Sequence, residues 1–570
     1  MQGWTNTQAS AYAVSNHAIR DILLPATTLS KECYSKMFMY CYSINRSPAL
    51  PATTLAEGCY QEMFRDCLPL IVAPALPATT LAPYCYNNMF YRCYNLKTVP
   101  TVLPATTLAD YCYCNMFANT SITAAPELPA TTLAPYCYNG MFSSCTSLKT
   151  ATVLAATNLL ENCYAGMFSS CINLEEAPTL PATTMKSSCY ANMFSNCRKL
   201  EEPPALPATT LAQSCYSNMF NGCTGLKKSP ALPATALANQ CYYQMFYKCT
   251  ALEDAGAISA TSAATSCCQN MFYGCTSLKA VPTLSVTSVA SKCFESMFRE
   301  CTTLTTAQVL PATSMVGRCY CDMFRDCTGL VNVPAGMLPA TSTASECYEC
   351  MFQGCTSLQN APALPAAYAN ELCYSGMFSG CTSLTTAPDL PATSVALMAY
   401  QAMFANCTSL VTVPARLPAT WVRYGYYNMF SGCTSLETPP EIDATSFTGG
   451  ETFFGMFRNC TSLKRAPALP ATNLTVSCYA EMFMGCTSLA TAPDLPATTL
   501  VANSYNSMFS GCTSLSSVKC LATDISAESC LNDWLSGVAA SGTFTKAASM
   551  SDWPTGASGI PDGWTVQDAL

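Results

Sequence analysis

The sequence is poor in charge, has one histidine and contains no long apolar run. Charged residues make up 11% of the 570 positions, against roughly 25% in an ordinary globular domain. The 26 basic residues are outnumbered by 34 acidic ones, for a net charge of −8. Such a chain offers no basic footprint for a phosphate backbone, so nucleic acid is not expected as a partner. Pro, Thr and Ser interrupt every hydrophobic patch before it reaches the roughly 18 residues that a membrane span needs, so membrane insertion is not expected either. The lone His17 lies near the N-terminus, which leaves nucleophilic catalysis of the Ser–His–Asp or Cys–His kind without a base. No Gly-x-Gly-x-x-Gly or Walker loop is present and no acidic dyad stands apart. Neither an enzyme, a catalytic residue nor a cofactor is expected. The opening MQGWTNTQASAYAVSNHAIRD has neither the basic nor the apolar region of a secretion signal, so the chain as written is read without a signal peptide.

What the chain does have is cysteine and aromatics. Half its residues are hydrophobic, with 39 Cys, 24 Phe and 30 Tyr, enough to bury a core and unlike the composition of a disordered chain. The dipeptide Met-Phe recurs with its Phe at 38, 64, 90, 117, 142, 168, 194, 220, 246, 272, 298, 324, 352, 378, 404, 430, 457, 483 and 509, most often 26 residues apart. Trp534-Leu535 occupies the next slot as a degenerate copy, and Ala11-Tyr12 sits one period before Phe38 as a worn half-turn. Fixed-period self-similarity on this scale is the mark of a repeat array, in which copies too small to bury their own apolar faces stack and share one core.

The copy from Phe378 to Phe404 shows the parts. Leu384-Thr385-Thr386-Ala387 reads as a short strand, broken by Pro388 and Pro391. The Thr and Ser of Pro-Ala-Thr-Thr/Ser suit helix N-caps. In the copy from Phe64 to Phe90, Leu81, Cys85 and Met89 follow at i, i+4 and i+8 with Phe90 and Cys93 beside them, which predicts a short helix. Gly274, Gly354, Gly380, Gly432 and Gly511 then fall where a residue of positive φ would close its last turn. The fold class expected is an α/β solenoid, a leucine-rich-repeat-like right-handed coil of about twenty turns, with a parallel sheet on one face and short helices on the other. At about 4.8 Å per turn its stacking axis would run on the order of 95 Å. The domains expected are an N-terminal segment and capping half-turn over 1–20, the repeat solenoid over 21–540 and a C-terminal cap or tail over 541–570.

The repeated frame Met-Phe-x-Gly-Cys-Thr-Ser-Leu, followed by Ala-Pro-x-Leu-Pro-Ala-Thr-Thr and Cys-Tyr, resembles the leucine-rich repeats of the Bacteroides surface protein A type over roughly residues 21–540. The ending, with Gly542-Thr543-Phe544, Trp553, Ser558-Gly559-Ile560-Pro561 and Gly563-Trp564, is similar to tails that close such arrays in gut Bacteroidetes and their phages. The resemblance implies surface display, adhesion or binding without catalysis. The absence of a signal or anchor in the given chain points instead to cytoplasmic synthesis, as a virion component would have.

The cysteines fall in two columns. One lies three residues after the Phe in eighteen of nineteen copies, Thr120 being the exception. The other lies five before it in fifteen of nineteen, replaced by Ala399, Gly425, Thr452 and Ser504. A metal site or an obligatory disulfide would not lose one partner while the other stays, as at Cys407, Cys433, Cys460 and Cys512. On a helix the two columns would stand about 12 Å apart, beyond disulfide reach. They are read as buried free thiols packing as small hydrophobes, with no metal bound.

Two outward features remain. A Tyr follows the first Cys in most copies, from Tyr34 and Tyr60 to Tyr505, and could stack on sugar rings; packing between turns accounts for it better. Beyond the strand Leu the charge varies, at Glu175, Glu176, Glu201, Glu202, Lys227, Lys228, Glu253, Asp254, Lys279, Lys464 and Arg465. Opposite signs on adjacent strands favour correct register, and this strand face is also the candidate binding face. The function expected is a non-enzymatic repeat scaffold for adhesion or ligand binding at a cell or virion surface, its partner a protein or glycan on a host or neighbouring surface. The alternative is a purely architectural virion component, a head or tail fibre that assembles with itself.

Overall fold

A computed structural model describes residues 23–570; the segment 1–20, with its half-turn at Ala11-Tyr12 and His17, lies outside the described residues. The chain gathers into two compact units, one reaching to Leu284 and the other spanning Ser285–Leu570. Within each unit successive copies stack in register.

On one face the copies meet through parallel pairing, mostly as single-residue bridges such as Thr54↔Thr80 and Lys228↔Asp254 in the first unit and Asn360↔Thr386↔Thr412 in the second. Regular strands are few. β1 (Tyr368–Ala369) pairs with β2 (Ser394–Val395), and β3 (Ser517–Cys520) leads into β4 (Thr543–Lys546) and β5 (Thr565–Asp568), all parallel. The prolines explain the shortness, since each removes a donor and fixes φ where a ladder would continue.

The second face corrects the expectation of short helices: no helix occurs among the described residues. In its place runs a ribbon of overlapping β-turns. Around Phe220, the N–H groups of Cys215, Ser217, Met219, Asn221 and Cys223 close turns onto Ala212, Ser214, Tyr216, Asn218 and Phe220. The alternate N–H groups, of Ser214, Tyr216, Asn218, Phe220 and Gly222, reach the carbonyls of Asn239, Cys241, Tyr243, Met245 and Tyr247 in the next copy, at 2.8 to 3.0 Å. Every fourth residue takes a positive φ, here Ser214 (53°), Asn218 (56°) and Gly222 (72°), which is the third position of a type II turn. Gly432, expected at a helix end, is such a position in the second unit (φ 76°); a Cβ there would strike the Asn406 side chain. With no helix to cap, threonines of the Pro-Ala-Thr column instead bond along the stack, as Thr261 Oγ1 does to Thr235 O at 3.3 Å.

The core lies between the two faces. Phe220 is wholly buried and its ring stacks on those of Phe194 and Phe246 at 5.6 and 5.5 Å. Beside it runs the Tyr column, with Tyr190, Tyr216 and Tyr242 stacked at 5.9 and 6.0 Å and about 1% exposed. From Tyr60 to Tyr505 the tyrosines of that column therefore pack between turns and are buried, while Tyr34 at its start is half-buried. At the end of the second unit Trp534 is buried, stacks on Tyr505 and donates its indole N–H to Gly559 O at 2.9 Å. Nearby, the Asp533 and Leu535 N–H groups bond to Ser558 Oγ and Ala557 O.

The two cysteine columns differ in their work. From Cys67 onward the thiol column three residues after Phe donates to the carbonyl of the Phe one copy back, as Cys67 does to Phe38 O at 2.8 Å, Cys223 to Phe194 O at 3.0 Å and Cys407 to Phe378 O at 3.1 Å. The same Phe194 carbonyl takes the Cys197 N–H, so both its lone pairs are used. Thr120, the one substitute, keeps a donor and turns its hydroxyl onto Phe117 O at 2.8 Å. Thiols of the other column include ones with long contacts, such as Cys137 to Cys163 O at 3.9 Å, a weak tie that Ala and Gly can forgo. Cys223→Ala is accordingly expected to cost about 2 kcal/mol, from a vacated site and a half-satisfied buried acceptor. Cys215→Ala should cost about 1 kcal/mol. Chemical denaturation of the two variants in reductant measures the gap, and equal losses would refute the donor role.

Candidate functional site

The charged residues beyond the strand Leu lie exposed, in register on the bridged face. The fold brings most of them together as ion pairs along the stack: Lys227 with Glu201 at 2.5 Å, Lys228 with Glu202 at 2.9 Å, and Lys279 with Glu253. The hydrogen bond from Lys279 holds the Glu253 carboxyl below its ordinary range. Asp254 accepts from the Gly256 N–H at 3.0 Å, and Lys464 pairs with Glu437 at 2.7 Å. Glu175, Glu176 and Arg465 are exposed in the same columns. Seven of the eleven side chains thus pair across copies, and Glu175, Glu176, Asp254 and Arg465 add exposed charge to the same face.

The turn ribbon carries a second outward surface that column counting does not show. In the first unit its outward residues at 84, 111 and 136 are all tyrosine. Tyr84 stacks on Tyr111 at 4.8 Å and Tyr111 on Tyr136 at 4.5 Å, with planes within 10°, and Tyr84 is 37% exposed. The ribbon imposes this: the three sit at a left-handed turn position in successive copies, so their side chains leave the stack in parallel. The next residues of the same column are Asn162, Ser188 and Ser214, and with them the surface drops into a trough of about 490 Å³. Its walls include Asn115, Asn139 and Asn192, and its floor Gly166, beside which a Cβ would meet nothing within 4 Å. No lining residue is charged. The sequence signal was Tyr-Cys-Tyr ahead of Met-Phe, at 84–86, 111–113 and 136–138 in three adjacent copies; the same tripeptide at 40–42 follows its Met-Phe and falls in another column.

The ribbon carries charge in both units: Arg65 pairs with Glu62 at 3.0 Å in the first, and the second holds a larger cluster. Arg318 pairs with Glu295 at 2.9 Å, with Glu346, and with Glu349 at 3.5 Å, while Arg325 pairs with Asp322 at 3.1 Å. Burial, and next the neighbouring Glu346, push the Glu349 carboxyl up. Among the described residues no group of three His, Cys, Asp or Glu is arranged to hold a metal ion.

The repeat geometry has a counterpart in known sequences. The profile of the BspA type leucine-rich repeat region, in six copies, matches residues 60–201, 187–331, 323–455 and 450–549. The chain belongs to the BspA-type leucine-rich repeat family. Solved structures similar to this BspA-type array include a leucine-rich repeat protein from Bacteroides ovatus, at 17% identity over 76% of this chain and 80% of that one, with a TM-score of 0.28. A leucine rich cell surface protein from Faecalibacterium prausnitzii is also 17% identical, over 56% of this chain and 86% of that one, with a TM-score of 0.26. The plant peptide hormone receptor RGFR1 in complex with RGF2 is 13% identical over 93% and 84%, with a TM-score of 0.20. No curated protein matches the chain. In this BspA-type chain the buried columns repeat from copy to copy, while the outward positions of the ribbon change from tyrosine to small amides and hydroxyls to ion pairs.

Proposed function

We propose that the protein is a non-enzymatic repeat scaffold for adhesion or ligand binding at a surface, and that it binds through the turn ribbon of its first unit. The observation that carries this reading is the uncharged trough beside the tyrosine stack, cut into an otherwise regular wall. Its amides and hydroxyls converge on one shallow depression, and precisely placed polar groups are what orient a ligand in a binding site. The ion-paired strand face serves register, where each exposed pair adds little to stability.

Ser143 and Ser169 line the trough and take ordinary negative φ, so bulk can be added there without disturbing a left-handed turn. A Ser143→Arg/Ser169→Arg variant is expected to keep the native circular dichroism and to lose at least tenfold in retention on immobilised mucin or extracellular matrix proteins. Undiminished retention, or none by the parent protein, would overturn the proposal; the latter would favour an architectural component of a particle, for which the trough is dispensable.

A further inference from the structure

The tyrosine stack ends where the trough begins. Tyr136 lies with one ring face on Tyr111 at 4.5 Å. The column then changes to Asn162, and no aromatic ring among the described residues covers the other face. The column continues over Asn162 to Ser188 and Ser214, all three of which line the trough, so the last ring of the stack stands one copy before them. The column thus supplies a flat ring platform, beyond which the short Asn162 side chain reaches less far than a ring would and leaves room for one more flat body. Around that place stand carboxamides and hydroxyls, from Asn115, Asn139, Asn192, Ser143 and Ser169, and at its near end the Glu161 carboxylate, which accepts from Asn162 Nδ2 at 3.4 Å.

We infer that this is a subsite for a neutral oligosaccharide, one sugar ring lying on the open face of Tyr136 and its neighbours running along the trough. This rests on the scaffold reading above and names its ligand class. An aromatic face takes the apolar C–H face of a pyranose, while amides and hydroxyls exchange hydrogen bonds with the ring hydroxyls. The Glu161 carboxylate beside Asn162 disfavours an anionic polymer. The lining of Asn, Ser, Gly and Ala offers no apolar pocket of the kind that anchors a peptide side chain. The trough spans the copies ending at Phe117, Phe142, Phe168, Phe194 and Phe220, which at about 4.8 Å per copy is on the order of 20 Å, room for several sugar rings.

The test is calorimetric titration of the full chain with cellohexaose, laminarihexaose, xylohexaose, chitohexaose and α-1,6-mannohexaose. At least one is expected to bind, with Tyr136→Phe keeping the affinity and Tyr136→Ala losing at least tenfold. Asn162→Tyr should also abolish binding, because it adds a fourth ring to the stack at a left-handed position where Tyr111 and Tyr136 already sit. That variant leaves the Tyr136 ring in place, so it remains informative if Tyr136→Ala fails to fold. Tyr247→Ala, in a different column, should bind as the parent does. Binding that survives both Asn162→Tyr and Tyr136→Ala would overturn the site. No binding by any of the five sugars, while the Ser143→Arg/Ser169→Arg variant still loses mucin or matrix retention, would overturn the glycan and leave the scaffold reading standing. Failure of both assays would overturn both.

Discussion

Raised from pH 8 to pH 10 in reductant, the protein is expected to lose its fold cooperatively. Burial pushes the thiols of Cys93, Cys223, Cys327 and Cys512 up to about 12, and that of Cys145 to about 11. In the unfolded chain each would ionise near 8.5. The native state then holds more protons than the unfolded one, so stability falls as pH rises. The contribution of each thiol is whole below about pH 8.5 and declines as pH climbs toward its raised native value, at about 1.4 kcal/mol per pH unit. By pH 10 ten such thiols in one unit would withdraw on the order of 20 kcal/mol, more than the 5–15 kcal/mol that holds an ordinary domain. The buried hydroxyls of Tyr86 and Tyr113 are also driven well up by burial, so they add to the effect at higher pH. Circular dichroism across pH 7–11, with thiolate absorbance followed in parallel, should show both signals changing together. A fold that persists to pH 11, or thiols that ionise before it is lost, would contradict the burial described here.

Phe220→Ala is expected to be the most damaging single truncation. It empties a site with no solvent exposure and breaks ring contacts on both sides. The cavity costs about 3–5 kcal/mol and the two lost stacking contacts roughly 0.5–1.5 kcal/mol each. Because each copy touches chiefly its neighbours, the injury should be local. Hydrogen exchange should accelerate in the turns around Phe194, Phe220 and Phe246 and stay near parent rates around Phe64. Lys228→Ala, which removes one exposed ion pair, should leave the unfolding midpoint unchanged. Uniform acceleration across the first unit would show that it unfolds as one block.

The buried columns could be read in the sequence because burial constrains each copy alike: Phe, Cys, Tyr and Leu keep their offsets and line the core. The ribbon was harder to see. Its inward positions at 85/86, 89/90 and 93 are spaced by four, which mimics one face of a helix. On a helix four residues overshoot a full turn by about 40°, so a strict spacing of four walks around the axis by about 120° over three steps. A ribbon of alternating turns that repeats every four residues does not walk. Asn and Gly at the fourth outward positions, as at Asn196, Gly222, Asn406 and Gly432, were the local sign of left-handed backbone. The trough was hidden for another reason: Tyr84, Tyr111 and Tyr136 occupy a column that is something else in most copies, so reading the repeat by its common residues averages them away.

The alternate N–H groups of the ribbon all point toward the following copy, and this gives each stack an electrical sense. Their peptide dipoles add along the stacking direction, leaving spare donors, and so partial positive charge, at the later end of the array. An α-helix is polarised the other way along its chain, with free N–H groups at its start. Extending such an array therefore means supplying carbonyls to a donor-rich end, and a terminus must neutralise it. Ser558 Oγ and Ala557 O do so for Asp533 and Leu535, which makes the loop after Trp553 the acceptor that lets growth stop.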